Sequence, residues 1–218
     1  LRIAGLAKEA GIPDGVFNVL PGFGHTVGEA LAMHMDVDCI TFTGSTAVGK
    51  ILVKQSADNL LRTSMELGGN APFVVCEDAD LDKAVDGAMV AKMRNIGEAC
   101  TAANRILVHE SIADEFSEKF AKAVSEMKVG NGLEDGVEVG PLIEAKEVDR
   151  MRELVEDAKA TGGEVLTGGE AIDGPGNFFQ PTVIRGASRD ARVFKEEIFG
   201  PIATLSTFRT PDEAVDLA

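Results

Sequence analysis

Cys100 has the residue type and the surroundings that nucleophilic attack on a carbonyl carbon requires. It lies in the sequence GEACT at residues 97–101, after a predicted helix end, where small neighbours leave its sulfur open to approach. An isolated cysteine is usually a small buried apolar residue, and only about one in ten acts as a nucleophile. Cys39 and Cys76 fit that common class because each lies in an apolar strand, whereas Cys100 lies outside any apolar period.

Glu66 has the second residue type that such chemistry needs. It stands at the end of a short predicted strand, two residues ahead of Gly68, which Gly69 follows. Because glycine has no side chain and adopts positive φ readily, a carboxylate next to these glycines can change its orientation. A thiol needs a base to become a thiolate, and a thioester needs an activated water for its hydrolysis. One mobile glutamate serves both steps, although an ordinary surface carboxylate is about four times as frequent.

A glycine-rich turn at residues 44–50, with the sequence GSTAVGK, follows a predicted strand and opens a predicted helix. It nearly matches the P-loop pattern, but Ile51 stands where the Ser or Thr that binds magnesium is required. The pattern therefore excludes a nucleoside triphosphatase. What remains is a strand-to-helix turn whose backbone N–H groups favour a phosphate or pyrophosphate, a feature that many such turns share.

The elements that must position these residues alternate between helix and strand, which predicts an α/β fold with largely parallel sheets. Strands are predicted near residues 16–20, 39–42, 62–67, 72–76, 105–109, 164–167, 179–185 and 202–208. Helices are predicted at residues 1–10, 25–34, 47–56, 80–95 and 144–160, and a further one begins with a capping box at residues 111–114.

Two of these helices have clear apolar faces at helical spacing. The face of the first comprises Leu81, Val85, Ala88, Met89, Met93 and Ile96, with Gly97 as its end. The face of the second comprises Phe116, Phe120 and Val124. Residues 128–143 and 168–177 are predicted loops.

The composition is that of a globular protein, with 44% hydrophobic and 26% charged residues in 218. The formal net charge of −15 repels phosphate backbones and anionic membrane surfaces, which argues against nucleic-acid and membrane partners. Three scattered cysteines argue against a disulfide framework and indicate a reducing, cytoplasmic compartment. His25, His34 and His109 have no metal-ligand spacing with them, so no metal site is predicted.

Both ends of the chain have the features expected of a truncated sequence. Leu1 begins inside a predicted helix with no N-cap before it, and the sequence TPDE at residues 210–213 opens a new helix shortly before Ala218. We therefore expect the chain to be a fragment of a longer protein.

Four motifs occur together in the order of the aldehyde dehydrogenase superfamily. They are FTGST at residues 42–46, MELGG at 65–69, GEAC at 97–100 and EEIFGP at 196–201. Glu66 precedes Cys100 by 34 residues and Glu197 follows it by 97, as in that superfamily. GPLI at 140–143 and QPTV at 180–183 extend the resemblance over the whole chain. The chain resembles the second half of such an enzyme, most closely a succinate-semialdehyde dehydrogenase.

This resemblance implies NAD(P)-dependent oxidation of an aldehyde through a thioester. Cys100 attacks the aldehyde carbon, and Glu66 activates the water that releases the acid. The Cys100 backbone N–H holds part of the oxyanion. For the cofactor, NAD or NADP, the resemblance implies the following contacts: Gly44 and Ser45 with the pyrophosphate, Gly24 near the adenine, Leu67 with the nicotinamide amide, Glu197 with the ribose hydroxyls and Phe199 beside that ring.

The resemblance also implies a domain organisation. Residues 1–67 correspond to the C-terminal part of a Rossmann-type NAD(P)-binding domain, and residues 68–218 to a truncated α/β catalytic domain that carries the thiol. The full-length protein is expected to be a homodimer or homotetramer that acts on a small-molecule aldehyde.

Arg94 is the candidate for substrate recognition. It lies six residues before Cys100, where succinate-semialdehyde dehydrogenases also have an arginine. A guanidinium pairs well with a substrate carboxylate, although a helix-end arginine also satisfies helix carbonyls. Many of these enzymes have a second cysteine two residues after the nucleophile, whereas this chain has Ala102 at that position. Residues 22–26, GFGHT, resemble aminoaldehyde enzymes instead, and Glu98 replaces the more usual glutamine.

Three alternatives remain open from the sequence. The first is an aldehyde dehydrogenase of the aminoaldehyde type. The second is a non-catalytic piece that binds partners through exposed strand edges and apolar patches. The third is a thiol acyl-hydrolase in which Cys100 and Glu66 act without a cofactor.

Overall fold

The computed structural model describes all residues of the chain, 1–218. They form two compact units, Leu1–Gly68 and Gly69–Ala218. The boundary between the units lies one residue from the predicted domain boundary. The assignment of these units to cofactor binding and catalysis stays a prediction.

The first unit contains a parallel βαβ repeat. Its elements in chain order are α1 (Arg2–Glu9), a π-helical turn (Gly24–Gly28), α2 (Glu29–Ala32), β1 (Cys39–Gly44), α3 (Thr46–Ser56) and β2 (Arg62–Leu67). Strands β1 and β2 pair in parallel, with Cys39 opposite Arg62 and Gly44 opposite Leu67, and α3 makes the crossover. Such a unit is the repeat of Rossmann-type sheets.

Two predictions are wrong, one for a strand of the first unit and one for the cysteines Cys39 and Cys76. Residues 16–20 form no strand, and Val16 and Leu20 are 71% and 63% exposed. An apolar run becomes a strand only where a neighbouring strand completes its hydrogen bonds, and this run has none. Cys39 and Cys76 are exposed rather than buried, since an apolar neighbourhood in sequence does not require a covering layer in space.

The second unit is built on a five-stranded, mostly parallel sheet. Its strands are β3 (Ala71–Val75), β4 (Ala103–His109), β5 (Glu164–Thr167), β6 (Thr182–Arg185) and β7 (Ile202–Phe208). The strand order is β3-β4-β7-β6-β5, and only the edge pair β5–β6 is antiparallel. The predicted α/β fold with a largely parallel sheet is therefore confirmed.

Helices cover both faces of this sheet. They are α4 (Leu81–Met93), α5 (Ala113–Ser125), α6 (Ala145–Ala160), α7 (Arg192–Lys195) and α8 (Pro211–Leu217). Helices α4 and α5 pack on one face in a cluster with Val183, and α6 packs on the other in a cluster with Ile184. Successive side chains of a strand point to opposite faces, so strands buried on both sides appear in the sequence as continuous apolar runs.

Three predicted boundaries in this unit need correction. Helix α4 ends at Met93, so Ile96 lies beyond it. The capping box at residues 111–114 does not form, because the Ser111 hydroxyl bonds to His109 Nδ1 at 2.8 Å and α5 begins without a side-chain cap. Strand β6 starts at Thr182, three residues later than predicted.

Candidate active site

The Cys100 loop (residues 94–100) leaves the end of α4 through three consecutive residues in the left-handed region. Asn95, Ile96 and Gly97 have φ values of 51°, 52° and 76°. Glycine and asparagine adopt this conformation readily, whereas a β-branched isoleucine is strained in it. Burial holds Ile96 there, in the same core cluster as the apolar face of α6. The Asn95 side chain also donates to the Glu98 carbonyl at 2.7 Å.

Gly69 brings Cys100 and Glu197 together within the second unit. Cys100 is exposed in a turn ahead of β4. A Cβ atom on Gly69 would collide with the Cys100 carbonyl oxygen, so the backbone at residue 69 lies directly against the backbone of Cys100. The Gly69 N–H donates to Glu197 Oε1 at 3.2 Å. A glycine is therefore required at this position, and it links two predicted site residues that are 97 apart in the chain.

The Glu197 turn (residues 197–200) is held by side-chain cations from two helices. Arg150 of α6 donates to the carbonyls of Glu197 and Ile198, the latter at 2.8 Å. Phe199 has a φ of 46°, an unfavourable value for a bulky residue, and its side chain is 43% exposed. That exposure argues against simple core packing of Phe199 and leaves its ring free to contact a ligand.

Lys92 is a residue of this region that the sequence reasoning missed. Its side chain is completely buried, and Nζ donates to Asn104 Oδ1 at 2.7 Å and to the Gly200 carbonyl at 2.9 Å. Burial lowers the pKa of Lys92 from 10.5 to about 7, because desolvation disfavours the ammonium. The available signal was its position inside the apolar stripe of α4, four residues after Ala88 and three after Met89.

Two further charged residues flank the nucleophile. Arg94 is exposed at the end of α4, and its guanidinium donates to Thr101 Oγ1 at 3.5 Å rather than to helix carbonyls. Glu98 is half-buried, and burial together with the negative charge of Glu147 raises the pKa of its carboxyl.

The predicted site residues of the first unit, except Gly24, lie at or next to the carboxyl ends of β1 and β2. Gly44 is paired with Leu67 in the sheet, and Glu66 precedes Leu67 as an exposed residue. Ser45 is the N-cap of α3, with its hydroxyl accepting from the Val48 N–H at 3.3 Å. Carboxyl ends of parallel strands and helix N-termini are where α/β folds bind phosphate-containing ligands.

Gly24 and Leu67 have distinct structural roles in that unit. Gly24 opens the π-helical turn, next to an exposed Phe23 whose ring stacks on His25 at a centroid distance of 5.5 Å. The Leu67 side chain fills the space over Gly49 of α3, where a Cβ atom would lie 2.5 Å from Leu67 Cδ2. Its backbone remains at the strand end, where the predicted nicotinamide contact requires it.

Three further observations concern metal groups, membrane spans and cavities. No three His, Cys, Asp or Glu residues are grouped as they would be to hold a metal ion. None of the helices has the length and apolarity needed to cross a membrane. A cavity of about 520 Å³ in the second unit contains no predicted site residue. One arginine in its lining, Arg185, is already paired with Glu164 and Asp114.

Known proteins resemble the chain over its entire length. The sequence profile of the aldehyde dehydrogenase family matches residues 1–218. The succinate-semialdehyde dehydrogenase of Paenarthrobacter nicotinovorans is 51% identical over 96% of this chain and 47% of its own length. The glutarate-semialdehyde dehydrogenase of Pseudomonas putida is 48% identical over 100% of this chain and 45% of its own length.

A solved structure gives the same result for the fold. The crystal structure of an NADP-dependent enzyme from E. coli superimposes with a TM-score of 0.96 at 45% identity, over 99% of this chain and 45% of that one. The chain thus spans about half the length of the relatives it matches. Since the family profile matches every residue, the chain belongs to the aldehyde dehydrogenase family.

Proposed function

We propose that the whole protein oxidises an aldehyde to its carboxylic acid with NAD or NADP, through a thioester on Cys100. The observation that carries this proposal is that the Gly69 backbone contacts both the carbonyl of the exposed Cys100 and the carboxylate of Glu197. Family membership and relatives named for semialdehyde oxidation support the same chemistry.

Each step has a residue of suitable chemistry. The Cys100 sulfur attacks the aldehyde carbon and gives a tetrahedral adduct, whose oxyanion the Cys100 backbone N–H stabilises. NAD or NADP, held by Ser45, Glu197 and Phe199, would supply the hydride acceptor that converts this adduct into a thioester. Glu66, exposed at the end of β2, takes a proton from the water that attacks the thioester, and the acid leaves with the Cys100 sulfur restored.

The residues present suit a dinucleotide. The N-terminus of α3, after Ser45, offers backbone N–H groups to a pyrophosphate. Glu197 uses Oε1 for the Gly69 N–H, and Oε2 remains for ribose hydroxyls. The exposed Phe199 offers an aromatic face to the nicotinamide. All three were predicted from the sequence to contact the cofactor.

For the substrate, we infer an aldehyde that carries a carboxylate, such as succinate semialdehyde. Arg94 stands six residues before Cys100, is exposed, and has only a long hydrogen bond to Thr101. A guanidinium in this state can form a bidentate pair with a substrate carboxylate. The relatives named for succinate and glutarate semialdehydes act on aldehydes of this charge.

The test measures formation of reduced nicotinamide by the purified whole protein with succinate semialdehyde or an uncharged aldehyde. Cys100→Ser should lower turnover by at least about a thousand-fold, because the nucleophile is lost. Arg94→Leu should raise KM for succinate semialdehyde by about 10- to 100-fold, the value of a charge-assisted hydrogen bond, with little change for the uncharged aldehyde.

Arg152→Leu, which removes an exposed arginine of α6, is the matched control and should leave both substrates unaffected. Turnover that survives Cys100→Ser would rule out the thioester mechanism. Equal effects of Arg94→Leu on the two aldehydes, or better turnover of an aminoaldehyde, would refute the carboxylate preference and leave the oxidation itself intact.

A further inference from the structure

We propose that Lys92 is a positioning residue that fixes the Cys100 loop to the Glu197 turn, and so sets the nucleophile against the carboxylate that binds the cofactor ribose. This inference rests on the proposed function for its catalytic meaning. The structural part of the inference is that one buried side chain couples the Cys100 loop to the Glu197 turn. This part depends only on contacts within the second unit.

The first contact joins Lys92 to the Glu197 turn. Lys92 Nζ donates to the Gly200 carbonyl at 2.9 Å. Together with the two bonds from Arg150, this means that basic side chains bind three of the four carbonyls in the turn. Phe199 lies between those anchors with positive φ, so the anchors supply what holds a bulky residue in that conformation.

The second contact joins Lys92 to the Cys100 loop. A Cβ atom on Gly97 would lie 2.5 Å from the Gly200 oxygen and 2.8 Å from Lys92 Nζ. The backbone of Gly97 therefore rests directly on the Lys92–Gly200 hydrogen bond. Gly97 is the last of the three left-handed residues that redirect the chain towards Cys100, and a shift of this bond would move the loop.

The third contact anchors the lysine in the sheet. Lys92 Nζ also donates to Asn104 Oδ1 at 2.7 Å, and the Asn104 carbonyl accepts from Thr204 Oγ1 at 2.6 Å. Asn104 belongs to β4 and Thr204 to β7, two neighbouring central strands. Lys92 thus connects both segments to two interior strands of the sheet as well as to each other.

A lysine can hold these bonds in either protonation state. The two acceptors, Asn104 Oδ1 and the Gly200 carbonyl, need two N–H donors, and the neutral amine has two. Since burial alone brings the pKa of Lys92 to about 7, the amine is well populated near neutral pH. The coupling is therefore expected to persist when the ammonium loses its proton.

The experiment compares wild type with Lys92→Met, which keeps the chain length and removes both donors, and with Lys92→Gln, which keeps two N–H donors on a shorter side chain. Lys83→Met is the matched control, because Lys83 lies exposed on the same helix. Amide hydrogen exchange of the full chain is read by mass spectrometry in residues 94–100 and 197–200. Strand β7 and helix α5 serve as internal references.

For Lys92→Met we expect exchange in both segments to rise at least tenfold, with the references unchanged. Lys92→Gln should give a smaller rise, and Lys83→Met none. The iodoacetamide alkylation rate of Cys100 should change in Lys92→Met, whereas Cys39 and Cys76, both exposed, should react as in wild type. In the whole protein, kcat should fall by about tenfold or more, with KM changed less.

The proposal is overturned if exchange in the two segments stays at the wild-type rate in both Lys92 variants. It is also overturned if exchange rises equally in β7 and α5 in both, which would make Lys92 an ordinary packing residue. Exchange and alkylation need no turnover. An inactive wild-type protein that still shows the expected exchange pattern would therefore refute the proposed function and leave the coupling established.

Discussion

Lys92, Ile96 and Phe199 each occupy a place that their residue types avoid. Lysine is rarely buried, and β-branched or bulky residues rarely have positive φ. All three lie in the segments that surround Cys100 and Glu197. Unfavourable local states persist only where the surrounding structure compensates for them, and they concentrate at functional sites. Within the second unit, residues in unfavourable burial or backbone conformation are therefore concentrated at the candidate site.

The depressed pKa of Lys92 gives a prediction about stability and pH. The unfolded chain has the ordinary lysine pKa of 10.5 and the folded chain about 7, so the unfolded state binds more protons between these values. The free energy of unfolding should therefore rise with pH across this window, by up to about 1.4 kcal/mol per unit from this group. Below pH 7 the cost of burying the ammonium is fully present.

Urea unfolding between pH 7 and 9.5, followed by circular dichroism because the chain has no Trp or Tyr, measures this slope. Lys92→Met should lose that contribution and Lys83→Met should keep it. An identical pH slope in wild type and Lys92→Met would show that the lysine is not buried as described.

At the element scale, the site depends on where strands and helices end. Glu66 and Gly44 lie at the carboxyl ends of β2 and β1, and Cys100 follows the end of α4 and precedes β4. The backbone changes direction where helices and strands end, so side chains at these ends need not pack in the core. Close backbone approaches between such ends leave no room for a Cβ atom, as at Gly69.

Gly69→Ala should displace the Cys100 backbone, because the added methyl would collide with the Cys100 carbonyl oxygen. Overpacking of this kind typically costs about 1 to 3 kcal/mol of stability. The rate of Cys100 alkylation should also change, which peptide mass spectrometry measures. Gly5→Ala, where nothing lies within 4 Å of the added Cβ, should instead leave the thiol unaffected. Wild-type stability and thiol reactivity in Gly69→Ala would contradict the close approach.

At the scale of the whole molecule, the two units differ in how much apolar surface they bury. All the hydrophobic core clusters belong to Gly69–Ala218. In Leu1–Gly68, the only buried apolar residue is Ala32. Burial of apolar surface is the main favourable contribution to folding. The second unit should therefore be the more stable of the two in the isolated chain.

Amide exchange in low concentrations of urea tests this difference. Strands β1 and β2 should lose protection at a lower urea concentration than β4 and β7, since local stability follows burial. A single cooperative loss of protection across all four strands would show that the units unfold together. Ligand binding to the first unit would raise its protection by mass action.

The sequence alone determined the family and most of the order of elements. Helix α6, strand β4 and the apolar face of α5 follow from periodicity, and Cys100 and Glu66 stand out by type and neighbours, because all of these are local properties of the chain. The contact between Gly69, Cys100 and Glu197, the burial of Lys92 and the absence of a strand at residues 16–20 were decided by tertiary structure. Each depends on a partner distant in sequence, and a local pattern specifies which face is apolar without specifying what covers it.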